Sequence, residues 1–343
     1  MTQVTVTFAL EPELGDRIRA VDPSVRVRVL NEPGLSALEG AGRFPSQRQS
    51  LTPPAEIEAA IDDSEVLFAY WGDALEQLVR PDAFPTSLRW VQLFTAGAER
   101  VDPALIRDCG LTVTTVTGMH AVPISEFVLT YILMFAKGWP ALWRNQMAVS
   151  YDRSVVPEDL EGKRVGIIGM GAIGAAVATR ARALGCRVLG MRRSFTARGP
   201  DAVADEAVPP SDLDYLLAES DFVVLAAPLT DETRGMIGVE QLRTMGPRSY
   251  LLNIARGELV EEQALIEALR EGVIGGAALD VFHREPLPPE SPLWQLDNVI
   301  LTPHLTGGPA DYAARATAMF CDNLARYLAG EPLHNVYDPA RGY

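Results

Sequence analysis

The second half of the chain alternates short apolar runs with stretches whose apolar residues recur at helical spacing. The apolar runs predict strands at 164–168, 187–191, 222–226, 249–254, 275–281 and 298–301. The amphipathic stretches predict helices at 172–184, 211–218 (with Ser211 as its cap), 260–271 and Asp311–Leu328. Strands that alternate with helices are typical of a parallel, doubly wound α/β sheet.

The first hundred residues show the same alternation less regularly. Strands are predicted at Val4–Ala9, Val25–Leu30, Val66–Tyr70, Leu88–Phe94 and Leu111–Val116. Helices are predicted at Pro12–Ala20 and at Pro54–Asp62, the second capped by Thr52, with loops at 31–53 and 331–343. We therefore expect two α/β domains, one formed by 1–118 together with 310–343 and the other by 119–309.

A largely helical stretch, 120–150, connects the two halves. Its apolar run Phe127–Ala136, introduced by Ser125 and Glu126, is too short to span a bilayer and predicts a buried helix. Pro140 is expected to break or kink the stretch, because proline lacks the N–H that a helix interior needs.

Composition narrows the class of protein. The chain has 343 residues, enough for two domains, and a net charge of −15, which disfavours a nucleic-acid partner. Its three cysteines, Cys109, Cys186 and Cys321, show neither zinc-site spacing nor a disulfide framework, so we expect no metal. The N-terminus has no positively charged segment followed by a cleavage site, so the sequence favours a cytoplasmic protein with no membrane partner.

A glycine fingerprint follows the strand at 164–168. Its residues are Gly169, Met170, Gly171, Ala172, Ile173 and Gly174, and a predicted helix continues from them. Strand, glycine turn and helix in this order predict a dinucleotide site, because Gly169 allows the tight turn, Gly171 lets backbone approach a pyrophosphate, and Gly174 lets helix pack on strand. The N–H groups at the start of the helix would face the phosphates. An ordinary glycine-rich turn is the alternative.

The end of the next strand indicates which dinucleotide binds. An acidic residue about 20 positions beyond the fingerprint normally holds the ribose 2′-hydroxyl. Here Arg192, Arg193 and Ser194 stand there instead. Guanidinium groups and a hydroxyl suit a 2′-phosphate, so we predict NADP(H) as the preferred cofactor and leave NAD(H) open. The alternative is that one or both arginines are solvated surface residues.

Three polar residues follow three successive predicted strands. They are Arg256, Glu285 and His304. Because ligands of open α/β sheets bind at the carboxyl ends of strands, these side chains are expected in one crevice beside the nicotinamide. Reduction of a keto acid needs a proton donor, which suits histidine, a carboxylate that orients the imidazole, and an arginine that holds the substrate. Taken singly, each could be an ordinary loop residue.

Five motifs in order resemble the D-isomer-specific 2-hydroxyacid dehydrogenases. They are LEGKRVGIIGMGAIG (160–174), PLTDETRGMIG (228–238), NIARGELV (253–260), ALDVFHREPLP (278–288) and TPHLTGG (302–308). The resemblance covers about 118–310 strongly and the first hundred residues more thinly. It implies two Rossmann-like or flavodoxin-like domains with parallel sheets and an interdomain cleft. The domain formed by 1–118 plus 310–343 would bind the substrate, and the domain 119–309 would bind the dinucleotide.

The resemblance also implies roles for individual residues. Arg256 matches the substrate-binding arginine, Glu285 and His304 match the catalytic pair, and Asp280 matches an aspartate near the nicotinamide carboxamide. The backbone at Ala96 and Gly97 would hold the substrate carboxylate. Pro228, Arg234, Ile254 and Ala255 would line the cofactor site. A homodimer formed through the cofactor domains, with 120–150 as its surface, is also implied.

The resulting hypothesis is an NADP(H)-dependent oxidoreductase that transfers hydride between nicotinamide and a small 2-keto acid or D-2-hydroxy acid. The alternative is a nucleotide-sensing, corepressor-like interaction protein of the same fold. Phosphite or phosphoglycerate oxidation would need further basic residues such as Arg89 or Arg100 near the cleft. Two further assignments stay open. His120 either has a structural role at the hinge or contacts substrate or cofactor, and Tyr70 and Trp71 either shape the substrate pocket or only pack.

Overall fold

The computed structural model describes residues 1–8, 10–30, 55–71, 73–98 and 100–339. It divides the chain into two compact units, Met1–Met119 with Ala310–Tyr343, and His120–Pro309. The predicted loop 31–53 and the predicted cap Thr52 lie outside the described residues. Assignment of substrate binding to the first unit and of the dinucleotide to the second stays a prediction.

The first unit contains a parallel sheet in the order β2-β1-β3-β4-β5 over its described residues. Its strands are β1 (Thr2–Val6), β2 (Val25–Val29), β3 (Val66–Ala69), β4 (Trp90–Leu93) and β5 (Thr112–Thr114). Its helices are α1 (Pro12–Arg19), α2 (Ala55–Asp62), α3 (Asp73–Leu78), α4 (Pro103–Arg107) and α11 (Tyr312–Ala329). This strand order is one of the two common doubly wound arrangements.

The last helix, α11, packs on this sheet through aromatic contacts. The Phe320 ring stacks at 4.5 Å on Phe68 of β3 and at 5.3 Å on Trp90 of β4. All three side chains are buried. Burial of aromatic rings of this size supplies a large share of a core's stabilisation, so the C-terminal segment is an integral part of the first unit.

The second unit contains a larger parallel sheet in the order β12-β11-β10-β9-β6-β7-β8. Its strands are β6 (Arg164–Ile168), β7 (Arg187–Met191), β8 (Glu206–Val208), β9 (Phe222–Leu225), β10 (Tyr250–Asn253), β11 (Gly276–Leu279) and β12 (Val299–Leu301). Its helices are α5 (Ala121–Ala136), α6 (Trp139–Met147), α7 (Ala172–Ala183), α8 (Leu213–Glu219), α9 (Val239–Met245) and α10 (Glu262–Glu271). The α/β class with two parallel sheets is thus confirmed.

The stretch 120–150 is largely helical and bent, as predicted, but the structure corrects two details. Helix α5 begins at Ala121 rather than after Ser125, because Pro123 fits the first turn, where no intrahelical N–H is needed. The break falls at Gly138, which adopts a left-handed φ of 67°, and Pro140 lies in the first turn of α6. The two helices bend by 71°.

Ser211 was also wrongly predicted to cap α8. A short 3-10 turn, Pro210–Asp212, precedes that helix, and the Ser211 hydroxyl donates to Asp212 instead of to the helix backbone. The sequence reasoning also missed four short elements: β8, α3, α4 and α9. Each has seven residues or fewer, too few to show a period.

The helices of the described residues are short compared with a bilayer crossing. There, no single helix combines the length and apolar character that a bilayer crossing requires. The bent pair α5 and α6 passes the same criterion only when its two helices are counted together.

Candidate active site

The carboxyl ends of the strands of the second unit bring the predicted site residues to one edge. Because all strand pairs are parallel, the segments that follow them emerge on the same side. From β12 to β7 these segments carry His304, then Asp280 and Glu285, then Ile254 to Arg256, then Pro228, then the glycine loop, then Arg192 to Ser194. The predicted catalytic residues therefore follow the strands toward the β12 end of the sheet, and Arg192 and Arg193 follow β7 toward the other end.

The glycine loop has the geometry that a dinucleotide needs. Gly169 adopts a φ of +108°, and a Cβ there would lie 2.5 Å from the carbonyl carbon of Ala226. A Cβ on Gly174 would lie 2.2 Å from the Gly169 carbonyl oxygen, so a larger residue would push α7 off β6. Both glycines are therefore required by the fold of the turn itself.

Gly171 differs, because a Cβ there would meet nothing within 4 Å. It is the residue before α7, and no side chain caps that helix. Gly171 and Ala172 are exposed, so the start of α7 borders open space at these two residues. Open space at a helix N-terminus is suited to an anion, so this cradle fits the pyrophosphate of a nicotinamide dinucleotide.

The arginine pair follows β7 directly beside the glycine loop. The N–H groups of Gly169 and Met170 both donate to the Met191 carbonyl, at 2.9 and 3.0 Å, which ties the loop to the end of β7. Arg192 lies with its guanidinium 4.3 Å from the centroid of the Phe195 ring. Arg192, Arg193 and Ser194 are exposed. The two guanidinium groups thus follow the strand end where the ribose 2′-position of a dinucleotide would lie.

The structure brings His304 and Glu285 together. Nδ1 of His304 lies 2.7 Å from Oε2 of Glu285, and the other carboxylate oxygen of Glu285 accepts from the Phe282 N–H at 3.1 Å. The Glu285 side chain is mostly buried, whereas half of the His304 side chain is exposed. The carboxylate is therefore fixed from two sides and presents one oxygen to the imidazole.

This contact moves both pKa values. The hydrogen bond to Glu285 raises the pKa of His304, burial opposes this, and the negative charges of Glu285 and Asp280 add to it. Burial alone would raise the pKa of Glu285, but the hydrogen bond and charge of His304, the Phe282 N–H and the charge of Arg256 together lower it. The pair thus favours an imidazolium beside a carboxylate, the form that can donate a proton.

Arg256 lies in a turn that is held to the neighbouring loop. Asn253 donates to the Arg256 carbonyl at 2.8 Å and accepts from the Ala255 N–H at 3.1 Å. A Cβ on Gly257 would lie 2.2 Å from the carbonyl carbon of Phe282, so this turn and the loop leading to Glu285 are in close contact. The positive charge of Arg256 reaches both Glu285 and His304.

Asp280 organises the loop after β12. Its carboxylate is buried and accepts four hydrogen bonds: Oδ1 from the Thr302 hydroxyl and the Leu305 N–H, Oδ2 from the N–H and the hydroxyl of Thr306. Sequence reasoning missed Thr302 and Thr306, although their positions on either side of His304 were a signal. The nicotinamide contact predicted for Asp280 stays a prediction.

Ala96 and Gly97 lie in the first unit, in the turn after β4. The Thr95 hydroxyl donates to the Gly97 carbonyl at 2.9 Å, which fixes this turn locally. Trp71 follows β3, and its buried indole N–H has no hydrogen-bond partner among the described residues. Of the basic residues considered for a phosphorylated substrate, Arg100 forms a two-pronged ion pair with Glu76 at 2.6 and 2.8 Å.

Within the described residues, no group of three or more His, Cys, Asp or Glu side chains is arranged to hold a metal ion.

Comparison with known proteins agrees with this geometry. The D-isomer specific 2-hydroxyacid dehydrogenase NAD binding domain matches residues 129–306. A glyoxylate reductase of Korarchaeum cryptofilum is 34% identical over 89% of this chain and 92% of its own. Among solved structures, a D-isomer specific 2-hydroxyacid dehydrogenase from Xanthobacter autotrophicus, in complex with NADPH and MES, is 30% identical, with a TM-score of 0.74 over 99% of this chain and 100% of its own.

The name of a second solved structure states its cofactor and its substrates. It is an NADPH-dependent glyoxylate/hydroxypyruvate reductase from Sinorhizobium meliloti in complex with NADP and sulfate, 26% identical, with a TM-score of 0.75 over 100% of both chains. The family predicted from the ordered motifs is confirmed. The chain belongs to the D-isomer-specific 2-hydroxyacid dehydrogenase family and is an NAD(P)-dependent 2-hydroxyacid oxidoreductase.

Proposed function

We propose that the protein is an NADPH-preferring reductase of small 2-keto acids, such as glyoxylate or hydroxypyruvate. The 2.7 Å contact between His304 and Glu285 carries this proposal, because it keeps a protonated imidazole ready for the carbonyl oxygen. Relatives named glyoxylate reductase support the substrate class.

His304 and Glu285 have different roles in reduction of the substrate carbonyl. Bound NADPH supplies the hydride, which forms the new C–H bond at the keto carbon. Because Nδ1 of His304 faces Glu285, its Nε2 is the nitrogen that donates a proton to the carbonyl oxygen. Glu285 fixes this tautomer and stabilises the imidazolium until the proton leaves. The products are the 2-hydroxy acid and the oxidised cofactor, with a neutral imidazole.

Substrate orientation is assigned to Arg256 and to the backbone of Ala96 and Gly97. A guanidinium can bind a carboxylate through two parallel hydrogen bonds, and backbone N–H groups can hold its other face. Such orientation lowers the barrier because it brings the carbonyl carbon to the hydride in a reactive geometry. The roles of Pro228, Arg234, Ile254 and Ala255 as cofactor contacts are part of the same proposal.

The preference for NADPH rests on Arg192, Arg193 and Ser194. The residues that directly follow β7 include no carboxylate, and their two guanidinium groups would attract a 2′-phosphate. The solved relatives with bound NADPH or NADP support the same preference.

We further propose a homodimer that forms through α5 and α6. Large apolar side chains are exposed there, including Trp139 at 45%, Trp143 at 58% and Met147 at 70%. An apolar surface of this kind typically marks a protein–protein interface. The free cysteines favour a reducing compartment, the cytoplasm.

A spectrophotometric screen tests the proposal. Oxidation of NADPH and of NADH would be followed over a panel of 2-keto acids that includes glyoxylate and hydroxypyruvate. We expect turnover of at least one small 2-keto acid, with a higher kcat/KM for NADPH. A protein that binds NADPH and reduces no member of the panel would instead favour the nucleotide-sensing, corepressor-like function.

A further inference from the structure

Helix α5 and the residue that precedes it, His120, form two hydrogen bonds with the loop that carries His304. The Tyr131 hydroxyl lies 2.6 Å from the Thr302 hydroxyl oxygen, and Nδ1 of His120 lies 2.7 Å from the Gly307 carbonyl oxygen. Thr302 and Gly307 stand on either side of His304 in the sequence. Neither contact takes part in the chemistry proposed above, so both need a separate explanation.

The direction of each hydrogen bond follows from its partners. The Thr302 hydroxyl donates to Asp280 at 2.6 Å, so it accepts from Tyr131. Burial raises the pKa of the Tyr131 phenol, which therefore keeps its proton at neutral pH. The Gly307 carbonyl can only accept, so His120 donates from Nδ1, and burial lowers the pKa of His120 so that its ring is neutral. Both bonds thus run from the helix to the loop.

Gly307 shows how closely the loop approaches the helix. A Cβ on this residue would lie 3.3 Å from Nδ1 of His120 and 3.6 Å from Cδ1 of Ile124. Its φ lies outside the left-handed region, so backbone conformation alone does not demand glycine. Close contact with α5 is therefore the reason why a small residue suits this position.

His304 depends on the backbone of this loop for its position. Its φ is +50°, a conformation that residues other than glycine seldom adopt, and half of its side chain is exposed. The ring is held by its contact with Glu285, so a displacement of the loop by about 1 Å would break that hydrogen bond of 2.7 Å.

We propose that Tyr131 and His120 are positioning residues, which fix both ends of the loop 302–307 on α5 and thereby hold the His304 imidazole against Glu285. The inference rests on the proposed function only in that it takes His304 to be the proton donor. The geometry that it explains does not depend on the substrate.

Nuclear magnetic resonance titration of the four histidines, labelled with ¹⁵N, tests this directly in the protein. In Tyr131→Phe and in His120→Ala we expect the pKa of His304 to fall toward about 6.5, the value for a free imidazole. His120→Asn is expected to restore it, because the asparagine amide places an N–H donor near the position of Nδ1.

Tyr250→Phe serves as the matched control. It also removes a hydroxyl from a tyrosine that packs on α5, since its ring stacks at 4.5 Å on Phe135. The charges that act on this hydroxyl are those of Glu158 and Lys163, which lie outside the loop 302–307. The pKa of His304 in this control is expected to equal that of the wild type. Tyr131→Phe preserves the shape of a buried ring, so it is expected to fold even if His120→Ala does not.

Steady-state kinetics gives a second readout. Both disrupting variants are expected to lose about tenfold in kcat, with KM for the 2-keto acid and Kd for NADPH changed by less than about twofold, because misplaced proton donors impair the chemical step rather than binding. Gly307→Ala is expected to lower kcat when it is introduced into the wild-type protein. The same substitution is expected to lower kcat much less in His120→Ala, because the imidazole that the new methyl group would crowd is absent there.

Two failures are distinguishable. A His304 pKa that stays at the wild-type value in both Tyr131→Phe and His120→Ala overturns the inference, whatever the activity. A wild-type protein that reduces no 2-keto acid overturns the proposed function, while the titration still decides whether α5 positions the imidazole. A fall in melting temperature with an unchanged titration would assign Tyr131 and His120 a purely structural role, against the proposal.

Discussion

Nδ1 of His304 lies 2.7 Å from Oε2 of Glu285, although the His304 backbone adopts a φ of +50°. A residue held in this left-handed conformation needs support from its surroundings. The support comes from Asp280, whose backbone carbonyl accepts from the His304 N–H at 2.9 Å and whose carboxylate binds the residues that follow. The fold thus maintains an unfavourable backbone geometry that places the imidazole on the carboxylate.

The first prediction concerns the proton donor itself. His304→Gln is expected to lower kcat about 10²–10⁴-fold, the usual contribution of a positioned general acid. The Kd for NADPH, measured by fluorescence titration, is expected to stay within about twofold, because the glycine loop lies on a different strand end. Wild-type kcat in this variant would remove His304 from the mechanism.

The second prediction concerns pH. Reduction needs protonated His304, so kcat/KM is expected to be constant at low pH and to fall as pH rises through the pKa of His304. That pKa is raised, so the fall begins above about 6.5. Oxidation of the 2-hydroxy acid needs the neutral ring and is expected to show the opposite dependence. In Glu285→Gln the hydrogen bond from Nδ1 of His304 to a charged carboxylate is lost, so the pH profiles of both directions are expected to move to lower pH.

The pH profiles of both directions check this assignment. His334→Ala is a suitable control, since His334 belongs to the first unit and forms its own ion pair with Asp322 at 3.6 Å. Its profile is expected to match the wild type. An unshifted profile in Glu285→Gln would show that the carboxylate does not govern the titration of His304.

Much of the site could be predicted from the sequence because it depends on strand order. Residues that follow parallel strands meet at one edge, so Glu285 and His304 could be paired from motif positions alone. The glycine roles were equally local: Gly169 has the positive φ that a tight turn requires. Such features depend on a few neighbouring residues and on one topological rule.

Other features could not be predicted, because they depend on side-chain contacts between distant segments. The bond from Tyr131 to Thr302 joins residues 171 positions apart, and that from His120 to Gly307 joins residues 187 apart. The start of α5 was also predicted too late. Ser125 and Glu126 suggested a later start, but Pro123 fits the first turn and the helix begins at Ala121. Packing decided these details, and periodicity does not report packing.

The third prediction concerns cofactor preference. Arg193→Ala and Arg192→Ala are expected to raise KM for NADPH at least about tenfold each and to leave KM for NADH nearly unchanged, because a charge-assisted bond to phosphate contributes about 1.5–3 kcal/mol. Arg187→Ala removes a nearby arginine that is paired with Glu206 at 3.0 Å and is the control. Equal effects on NADPH and NADH would show that the arginines do not recognise the 2′-phosphate.

The last prediction separates two glycines of the fingerprint. Gly174→Ala is expected to lower stability by about 1–3 kcal/mol, because its Cβ would lie 2.2 Å from the Gly169 carbonyl oxygen and would force α7 away from β6. Gly171→Ala is expected to change stability by less than about 1 kcal/mol, since its Cβ meets no atom within 4 Å and its φ of −86° suits any residue.

Cofactor binding reverses this contrast. In Gly171→Ala the new methyl group occupies the space proposed for the pyrophosphate, so Kd for NADPH is expected to rise at least about tenfold in a protein that melts at nearly the wild-type temperature. Thermal melting with and without NADPH measures both quantities in one series, because a ligand that binds the native state raises the melting temperature. If Gly171→Ala bound NADPH as tightly as the wild type, the phosphates would have to lie elsewhere than at the start of α7.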